Sequence, residues 1–474
     1  GADWYLGNAG AGNPQSYWGV DRPWNGLYII ASRANTIIER VPPIPSTETD
    51  ADMKQRIIGE AYFLRGWAYF MLVQLYGGVP LRLETFTADP VASKPRASVQ
   101  EVYNAVIDDF KKAEEMLFPA SDQRSGTTGR VNSGVAKAFL AKTYLTMASG
   151  ALPGVTLTVR GGTDNGFYDH AKTVVAGLEG IDSKQYFQLA RDKAAEVIQS
   201  NEYSLFTNWT DIWKADSHNK QEHIWELQSL FGTSFMNDMH SYFSARSPFG
   251  TGAVWMSNNH YKNYETQDTR ILDGVTHQYQ ANWGTYYYYP SWEQDKYGQD
   301  ADRNYNNNGE ENGDNKAFVI KFNFVTGFNN DQLGTSFGNN TIGTQSDAFF
   351  PLMRFSEVKL MYAEAENEVN GPTGEAYTQL NDVRRREKAT DAPAGMTTDQ
   401  FRNFVLEERG REFALEDIRR FDLIRWGIYL QVMNKIGIGQ NNITKVRQTR
   451  NVLLPIPQSE LNSNKEISGN NPGW

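Results

Sequence analysis

The chain has 474 residues, with 40% hydrophobic, 22% charged and 13% aromatic side chains, a balance that belongs to a globular protein with a sizeable core and excludes a disordered one. Lys and Arg number 46 against 56 Asp and Glu, and the resulting net charge of −10 disfavours a phosphate backbone, so nucleic acid is not an expected partner. There is no cysteine, which excludes disulfides, thiolate metal sites and cysteine nucleophiles, and no apolar run of about 18 residues is present to span a membrane as a helix.

The first residues, GADWYLGN, lack the basic and apolar regions of a secretory signal, which leaves a cytosolic protein or one whose targeting segment precedes residue 1. Trp4, Tyr5, Tyr17 and Trp18 follow in a glycine- and asparagine-rich loop. The first clear helix is DMKQRIIGEAYFLRGWAYFMLVQLYGGVP, where Ile57, Ala61, Leu64, Ala68, Leu72 and Leu75 form one stripe at spacings of three and four. Gly77, Gly78 and Pro80 stop it. Arg65 interrupts the apolar surroundings and reads as a packed, hydrogen-bonded structural arginine. Ser98 and Glu101 predict a capping box for a second helix carrying Val102, Val106, Phe110, Ala113 and Leu117 and ending near Pro119. The polar turn SDQRSGTTGR leads into VNSGVAKAFLAKTYLTMA, and YFQLARDKAAEVIQS repeats the helical pattern.

From about residue 201 to 349 the helical stripes vanish while glycine, asparagine and aromatics rise, and EHIWELQS and AFVIKFNF read as short strands. Six of the twelve tryptophans fall here: Trp209, Trp213, Trp225, Trp255, Trp283 and Trp292. That placement off the helical stripes favours a surface role over a scaffold core. Helical patterns return in SEVKLMYAEAENEVNG, EAYTQLNDVRRRE and, after a Thr397 to Gln400 cap, FRNFVLEERGREFALEDIRRFDLIRWG. Alanine-rich helix pairs of this kind are similar to tetratricopeptide repeats, with irregular spacing. The expected fold is mostly α within one unit of 1–474. A tetratricopeptide-like scaffold occupies about 20–200 and 350–432, a loop-rich ligand-binding insertion with a few short strands lies at about 201–349, and a tail, 433–474, packs on the scaffold.

Four blocks in this order, GEAYFLRGWAYFMLVQLYGGVPL, LMRFSEVKLMYAEAENEVNG, ERGREFALEDIRRFDLIRWG and LLPIPQSELNSNKEISGNNPGW, resemble the SusD/RagB family of outer-membrane nutrient-binding lipoproteins. They cover the helical parts and hardly touch the middle. The resemblance implies four tetratricopeptide-like helix pairs supporting a variable, loop-rich ligand-binding half. It also implies a cell-surface position held by an N-terminal lipid on the outer membrane, and a role as lid on a SusC-like TonB-dependent transporter. Such proteins capture oligosaccharides or polysaccharides, or in some members peptides, without catalysis or cofactor. No signal peptide or lipid-accepting cysteine is present, so residue 1 is read as lying downstream of the anchor.

Catalytic patterns are missing: no His-Glu-x-x-His, Gly-x-Ser-x-Gly, phosphate-loop or dinucleotide glycine motif occurs, and the six histidines show no metal-ligand spacing on a helix. The paired carboxylates Glu407 with Glu408 and Glu310 with Glu311 are adjacent only in sequence, which does not supply the separation that glycoside hydrolysis needs. Glu407 with Arg411 and Glu416 with Arg420 are expected as ion pairs one helical turn apart. Arg384, Arg385 and Arg386, and Arg419 with Arg420, read as solvated or salt-bridged helix faces. DADRNYNNNGEE places Asp300, Asp302, Asn304 and Glu311 at calcium-loop positions, but Tyr305 stands where the sharp turn needs glycine, so an asparagine-rich surface loop is the better reading.

The glycan capture that the resemblance implies needs side chains able to recognise a sugar. Flat aromatic rings cover the C–H face of a sugar, and amides and carboxylates pair with its hydroxyl rim. In NWGTYYYYPSWEQDKYG, residues 282 to 298, Trp283, Tyr286, Tyr288 and Trp292 are the expected stacking rings, with Asn282 and Asp295 as hydrogen-bonding partners. If the segment is extended, Tyr286 and Tyr288 share one face while Tyr287 and Tyr289 point the other way and pack inward. The competing reading is that the rings simply pin a long loop. Trp4, Tyr5 and Trp18 would complete the platform, because the resemblance implies ligand contacts from the corresponding N-terminal loop; Trp67, Trp426 and Trp474 read as packing residues. The leading reading is therefore a glycan-binding partner of an outer-membrane transporter. A peptide-binding member of the family, a soluble helical-repeat adaptor and a glycoside hydrolase are its rivals.

Overall fold

In a computed structural model, the structure describes residues 18–45, 47–244, 251–280, 285–290, 315–325, 345–437 and 446–474. Five helices come first: α1 (Trp18–Arg40), α2 (Ala51–Tyr76), α3 (Val99–Met116), α4 (Ser133–Ala151) and α5 (Ser183–Gln199). Asp50 caps α2 by accepting the Met53 amide, and Gly77, at φ +73°, ends it. The reciprocal Ser98 and Glu101 hydrogen bonds form the capping box that starts α3. α2 packs on both α1 and α3. Its apolar surface is consequently wider than the single stripe the sequence suggests: Ala61, Ala68 and Leu72 are buried together with Ile58, Phe63, Phe70, Val73 and Tyr76, whereas Ile57, Leu64 and Leu75 are only half-buried.

Arg65 is structural in the expected sense. Its guanidinium donates to both Asp109 carboxylate oxygens, at 2.8 and 2.7 Å, to Asn35 Oδ1 at 2.8 Å and to the Leu83 carbonyl at 2.7 Å. Four partners satisfy a buried charge that would otherwise oppose folding.

Between α4 and α5 lies an antiparallel hairpin, β1 (Thr156–Gly161) and β2 (Gly166–Ala171), inside the stretch expected to form the helical scaffold. The signal was there in the alternation of TLTVRG, which buries Leu157, Val159 and Gly161, and in the polar turn that follows, where Asn165 adopts φ +57°.

After α5 the long helices give way to strands and to helices of four or five residues, such as Trp209–Trp213. β3 (His223–Leu227), within the predicted EHIWELQS strand, pairs antiparallel with β6 (Phe350–Arg354). β4 (Gln278–Gln280) and β5 (Tyr286–Tyr288) form a second antiparallel pair. AFVIKFNF makes isolated bridges, Ala317 with Met256 and Val319 with Val275, in place of a continuous strand. Its side chains nevertheless alternate. Phe318, Ile320 and Phe322 join a cluster around Trp209 and Trp213, and Ala317 and Val319 join one around Met256, Tyr261 and Tyr264.

The C-terminal helices are α6 (Phe355–Asn370), α7 (Gly374–Arg386), α8 (Thr398–Glu412), α9 (Arg419–Arg425) and α10 (Tyr429–Ile436), followed by α11 (Gln458–Ser463) in the tail. Thr397 and Gln400 form the capping box of α8. α6 packs on α4, α5, α7 and α8, which joins the two helical blocks into one scaffold. The tail is fixed to the end of α2: the Leu454 amide donates to the Leu75 carbonyl at 2.7 Å, and the Asn471 side-chain amide to the Tyr76 carbonyl at 2.9 Å.

Gly427 follows α9 at φ +64°, and a β-carbon there would lie 2.0 Å from the Thr173 carbonyl oxygen. Both backbone strain and this close approach require glycine. Gly427→Ala is expected to destabilise the protein by about 1–3 kcal/mol, read as a lower denaturant midpoint with an unchanged slope.

Candidate functional site

Most of the residues singled out in the sequence lie outside the described residues: Trp4, Tyr5, Tyr17, Asn282, Trp283, Trp292, Asp295 and the calcium candidates Asp300, Asp302, Asn304 and Glu311, with Glu310. Trp18 is the first residue of α1. Tyr286 and Tyr288 lie on β5, and that hairpin shows how the aromatic run is used.

The register pairs Gln278 with Tyr288, Tyr279 with Tyr287 and Gln280 with Tyr286. Tyr287 stacks on its cross-strand partner Tyr279 with centroids 5.2 Å apart and planes 18° apart, and Tyr279 meets Phe318 edge-on. Directly opposed aromatic pairs of this kind stabilise a short sheet. Tyr289 is buried in the other cluster: its hydroxyl donates to Asn258 Oδ1 at 2.8 Å, its ring meets Tyr261 edge-on, and its amide donates to the His277 carbonyl. Tyr288 is only 6% exposed, whereas Tyr286 is half-buried. The outward pair expected from alternation is thus one accessible ring rather than two, because Tyr288 is buried along with the inward-packed Tyr287 and Tyr289.

The tryptophans of this region also pack more than the sequence reading allows. Trp209 and Trp213 are buried at its centre. Trp225, on β3, reaches into the helical core and meets Phe63, Trp67 and Phe139 edge-on at 4.9, 5.5 and 5.7 Å. Trp255 is half-buried beneath Lys316, whose Nζ lies 3.8 Å from the ring centre. Of the scaffold tryptophans, Trp426 is fully buried, and Trp67 and Trp474 pack against the same core.

One group of accessible rings that sequence reasoning missed is on the segment after β3. Phe235 is 72% exposed, Tyr242 45% and Phe231 40%, with Leu230 beside them. They are held by a fixed backbone. Thr233 Oγ1 donates to the Leu230 carbonyl at 2.8 Å and accepts the Phe235 amide at 3.0 Å. The Asn237 side chain donates to Ser229 Oγ, and the Asn237 and Ser346 backbones bond reciprocally. Two phenylalanines within the turn-forming stretch LFGTSF, with no helical stripe to serve, are the signal that could have found them. Tyr242 lies on a one-turn helix, Met239–Phe243, whose Met239 and Phe243 pack on the cluster that also holds Tyr287.

Beneath this region lies a buried network of charges. Arg354, at the end of β6, donates to Glu416 at 2.8 and 2.9 Å, to Glu222 at 2.5 Å and to Glu412 at 2.8 Å. Arg386 pairs with Glu222, Glu387 and Glu412. Arg270 meets Asp268, Glu408 and Glu412, and Lys321 meets Glu416 at 2.6 Å. Burial opposes the charge on Glu222, but the Arg386 and Arg354 guanidiniums hold its carboxyl below the usual range. Against the same penalty Arg386, Arg354 and Arg270 hold Glu412 well below it, and Arg270, Arg411 and Arg384 depress Glu408.

This network corrects two expected ion pairs. Glu407 bonds to Arg419 at 3.1 Å and Arg411 to Glu408 at 2.8 Å, instead of Glu407 to Arg411. Glu416 turns inward to Arg354 and Lys321, because α8 ends at Glu412 and the following backbone passes through left-handed conformations at Leu415 and Asp417. Arg420 instead donates to the Tyr429 hydroxyl and to the Asn451 and Val452 carbonyls. Of the arginines read as helix faces, Arg385 is exposed on Asp391, while Arg384 and Arg386 are buried. Glu407 and Glu408 are thus both engaged in ion pairs. Among the described residues no group of three or more His, Cys, Asp or Glu side chains is placed to hold a metal ion, and no helix is long and apolar enough to cross a membrane.

Residues 183–474 match the profile described as "SusD family", and residues 15–145 match one described as "Starch-binding associating with outer membrane". The chain is similar to SusD-like protein P25 of Formosa agariphila, at 25% identity over 469 residues, covering 94% of this chain and 77% of that protein. Among solved structures it is similar to a SusD superfamily protein from Parabacteroides distasonis, with a TM-score of 0.73 and 23% identity over 97% of this chain and 87% of that one. It is also similar to a structure described as a laminarin binding SusD-like protein, with a TM-score of 0.65 and 22% identity over 95% and 85% of the two chains.

Proposed function

The chain belongs to the SusD family, and from that premise we propose that it is a non-catalytic carbohydrate-binding protein that captures oligosaccharides at the cell surface and passes them to a SusC-like TonB-dependent transporter in the outer membrane. A lipid upstream of residue 1 would hold it there. The observation that carries the reading is the exposure of Phe231, Phe235 and Tyr242 in one part of the chain, with Tyr286 half-buried on the β4–β5 hairpin. Apolar rings cost free energy in water unless a ligand covers them, and a pyranose face is a fitting cover. The starch-binding description of one matching profile and the laminarin-binding neighbour point to the same ligand class.

We place ligand choice in the region of about 201–349. Its buried rings, Trp209, Trp213, Tyr279 and Tyr287, fix the supporting core, so that the exposed ones are presented with few rotatable bonds to immobilise on binding. Trp283 and Trp292 are the further stacking rings, Asn282 and Asp295 the hydroxyl partners, and Trp4, Tyr5 and Trp18 complete the platform from the N-terminal side. Affinity electrophoresis through gels containing laminarin, amylopectin or xyloglucan tests this. At least one polymer is expected to retard the protein, and Trp283→Ala with Trp292→Ala to weaken that binding by tenfold or more, about 1.4 kcal/mol, with an unchanged circular dichroism spectrum. Full retention by the double variant would overturn the site assignment, and release of reducing sugar would overturn the non-catalytic reading.

A further inference from the structure

A groove of about 660 Å³ lies on the helical scaffold, between α1, the segment that follows α2, and Glu460 of the tail. That volume is within the range of small-molecule sites. Ile29 lines it from α1 and Phe86 from the facing segment, and both are unusually open for their type, at 50% and 66% exposure. Trp24 and Tyr28 also line it, tilted against each other with centroids 5.0 Å apart. Asn25, Ser32 and Glu84 add exposed polar groups.

The groove is preformed. The Asn35 side-chain amide donates to the Arg82 and Glu84 carbonyls, both at 2.9 Å, the Tyr28 hydroxyl to the Pro80 carbonyl at 2.8 Å, and Arg65 to the Leu83 carbonyl. Arg82 in turn donates to the Val91 and Ala92 carbonyls. These bonds tie the wall to α1, and they also occupy the backbone acceptors that an extended peptide would need to add itself as a strand. The charges are close to balanced. Lys94 pairs with Asp89, and Arg82 shares the lining with Glu84 and Glu460 while its guanidinium is bonded to backbone carbonyls, so no cationic nest for phosphate or sulfate is formed. What is left is an open aromatic face beside amide, hydroxyl and carboxylate groups.

We propose that this groove is a second oligosaccharide-binding site, which takes a short neutral glycan with Phe86 against a pyranose face and Glu84 and Asn25 on its hydroxyls. The proposal rests on the carbohydrate-binding reading above and adds to it a site lined by scaffold and tail residues, with none of the described insertion among them. Two weak sites on one chain raise the apparent affinity for a polymer that reaches both, while leaving each affinity for a short oligosaccharide unchanged.

The test is amide hydrogen exchange of the full chain with laminarihexaose, maltohexaose and cellohexaose at millimolar concentration, together with gel retardation by the corresponding polymers. Slowed exchange is expected in residues 80–92 as well as in the insertion. Phe86→Ala should abolish the slowing in 80–92 alone and weaken polymer retardation by about tenfold, while Phe86→Trp should keep both. The Trp283 and Trp292 double variant should retain the slowing in 80–92. Slowed exchange confined to the insertion, with Phe86→Ala binding like the parent, would overturn the second site and leave the carbohydrate reading standing. No slowing anywhere and no retardation by any polymer would overturn both.

Discussion

Arg354→Ala is expected to lower the unfolding free energy by about 3–5 kcal/mol, the range for removing one partner of a buried charge cluster. The residue is 2% exposed, and its guanidinium meets Glu222, Glu412 and Glu416 at 2.5–2.9 Å. Removing it leaves three buried carboxylates with Arg386, Arg270 and Lys321 as remaining cations. The loss is therefore a desolvation penalty, set by the groups left behind rather than by the bonds removed. Urea unfolding at neutral pH measures it. Arg385→Ala is the control: that arginine pairs with Asp391 at the surface, where solvent screens the pair, and no measurable change is expected. Equal effects of the two substitutions would refute the buried-network account.

Acid is expected to unfold the protein through the same kind of pairing. Burial raises the cost of charging Asp422, but Arg409 and Arg425 outweigh it and hold the carboxyl at about 2. A depressed carboxylate contributes stability that is present above its unfolded value, about 3.9, and lost as pH falls through the folded one. Asp422 alone accounts for about 2–3 kcal/mol across that interval, and Glu222, Glu408 and Glu412 are displaced in the same direction. Glu387 has the opposite sign. Burial pushes it up to about 7 despite Arg386, so its contribution is complete below its ordinary value and is lost as pH rises through 7. Stability should peak at about pH 4–5, above the acid limb and below the fall that Glu387 produces between its ordinary value and about 7. Asp422→Asn should flatten the acid limb and Glu387→Gln the alkaline one; a profile unaltered by either would refute the assignment.

What the sequence discloses is what depends on neighbours along the chain. The caps at Ser98 and Thr397 and the stop at Gly77 are legible because each is a contact within a few residues. The family blocks add the architecture, and the role of Arg65 follows from a single charge amid apolar residues. The charge network was hidden because its partners are remote: Arg354 and Glu222 are 132 positions apart. Local spacing suggested Glu416 with Arg420 instead, and nothing in the spacing shows that α8 stops at Glu412. The tyrosine run misled for a related reason. Alternation says which rings share a face of a strand, but not that Tyr288, on the face opposite Tyr287, is buried as well. Phe235 and Tyr242, conversely, sit in segments without any periodicity to mark them as solvent-facing.

The pairing of β3 with β6 brings Leu227 and Phe350 side by side, and Trp225 fastens that pair to the helices. The long excursion therefore leaves and re-enters the scaffold through a single doorway of two strands. Lengthening or replacing what lies beyond it changes the closure entropy only logarithmically, so a lineage could exchange the surface that this stretch carries while leaving the helical frame untouched. Contacts back to the scaffold restrict that freedom, among them Glu265 with Arg384 and Thr269 with Glu387. Arg270 and Lys321 lie within the exchangeable stretch, yet they neutralise Glu408, Glu412 and Glu416 on and just beyond α8. Any graft that omitted both cations would have to supply substitutes or lose the footing on which the new surface stands.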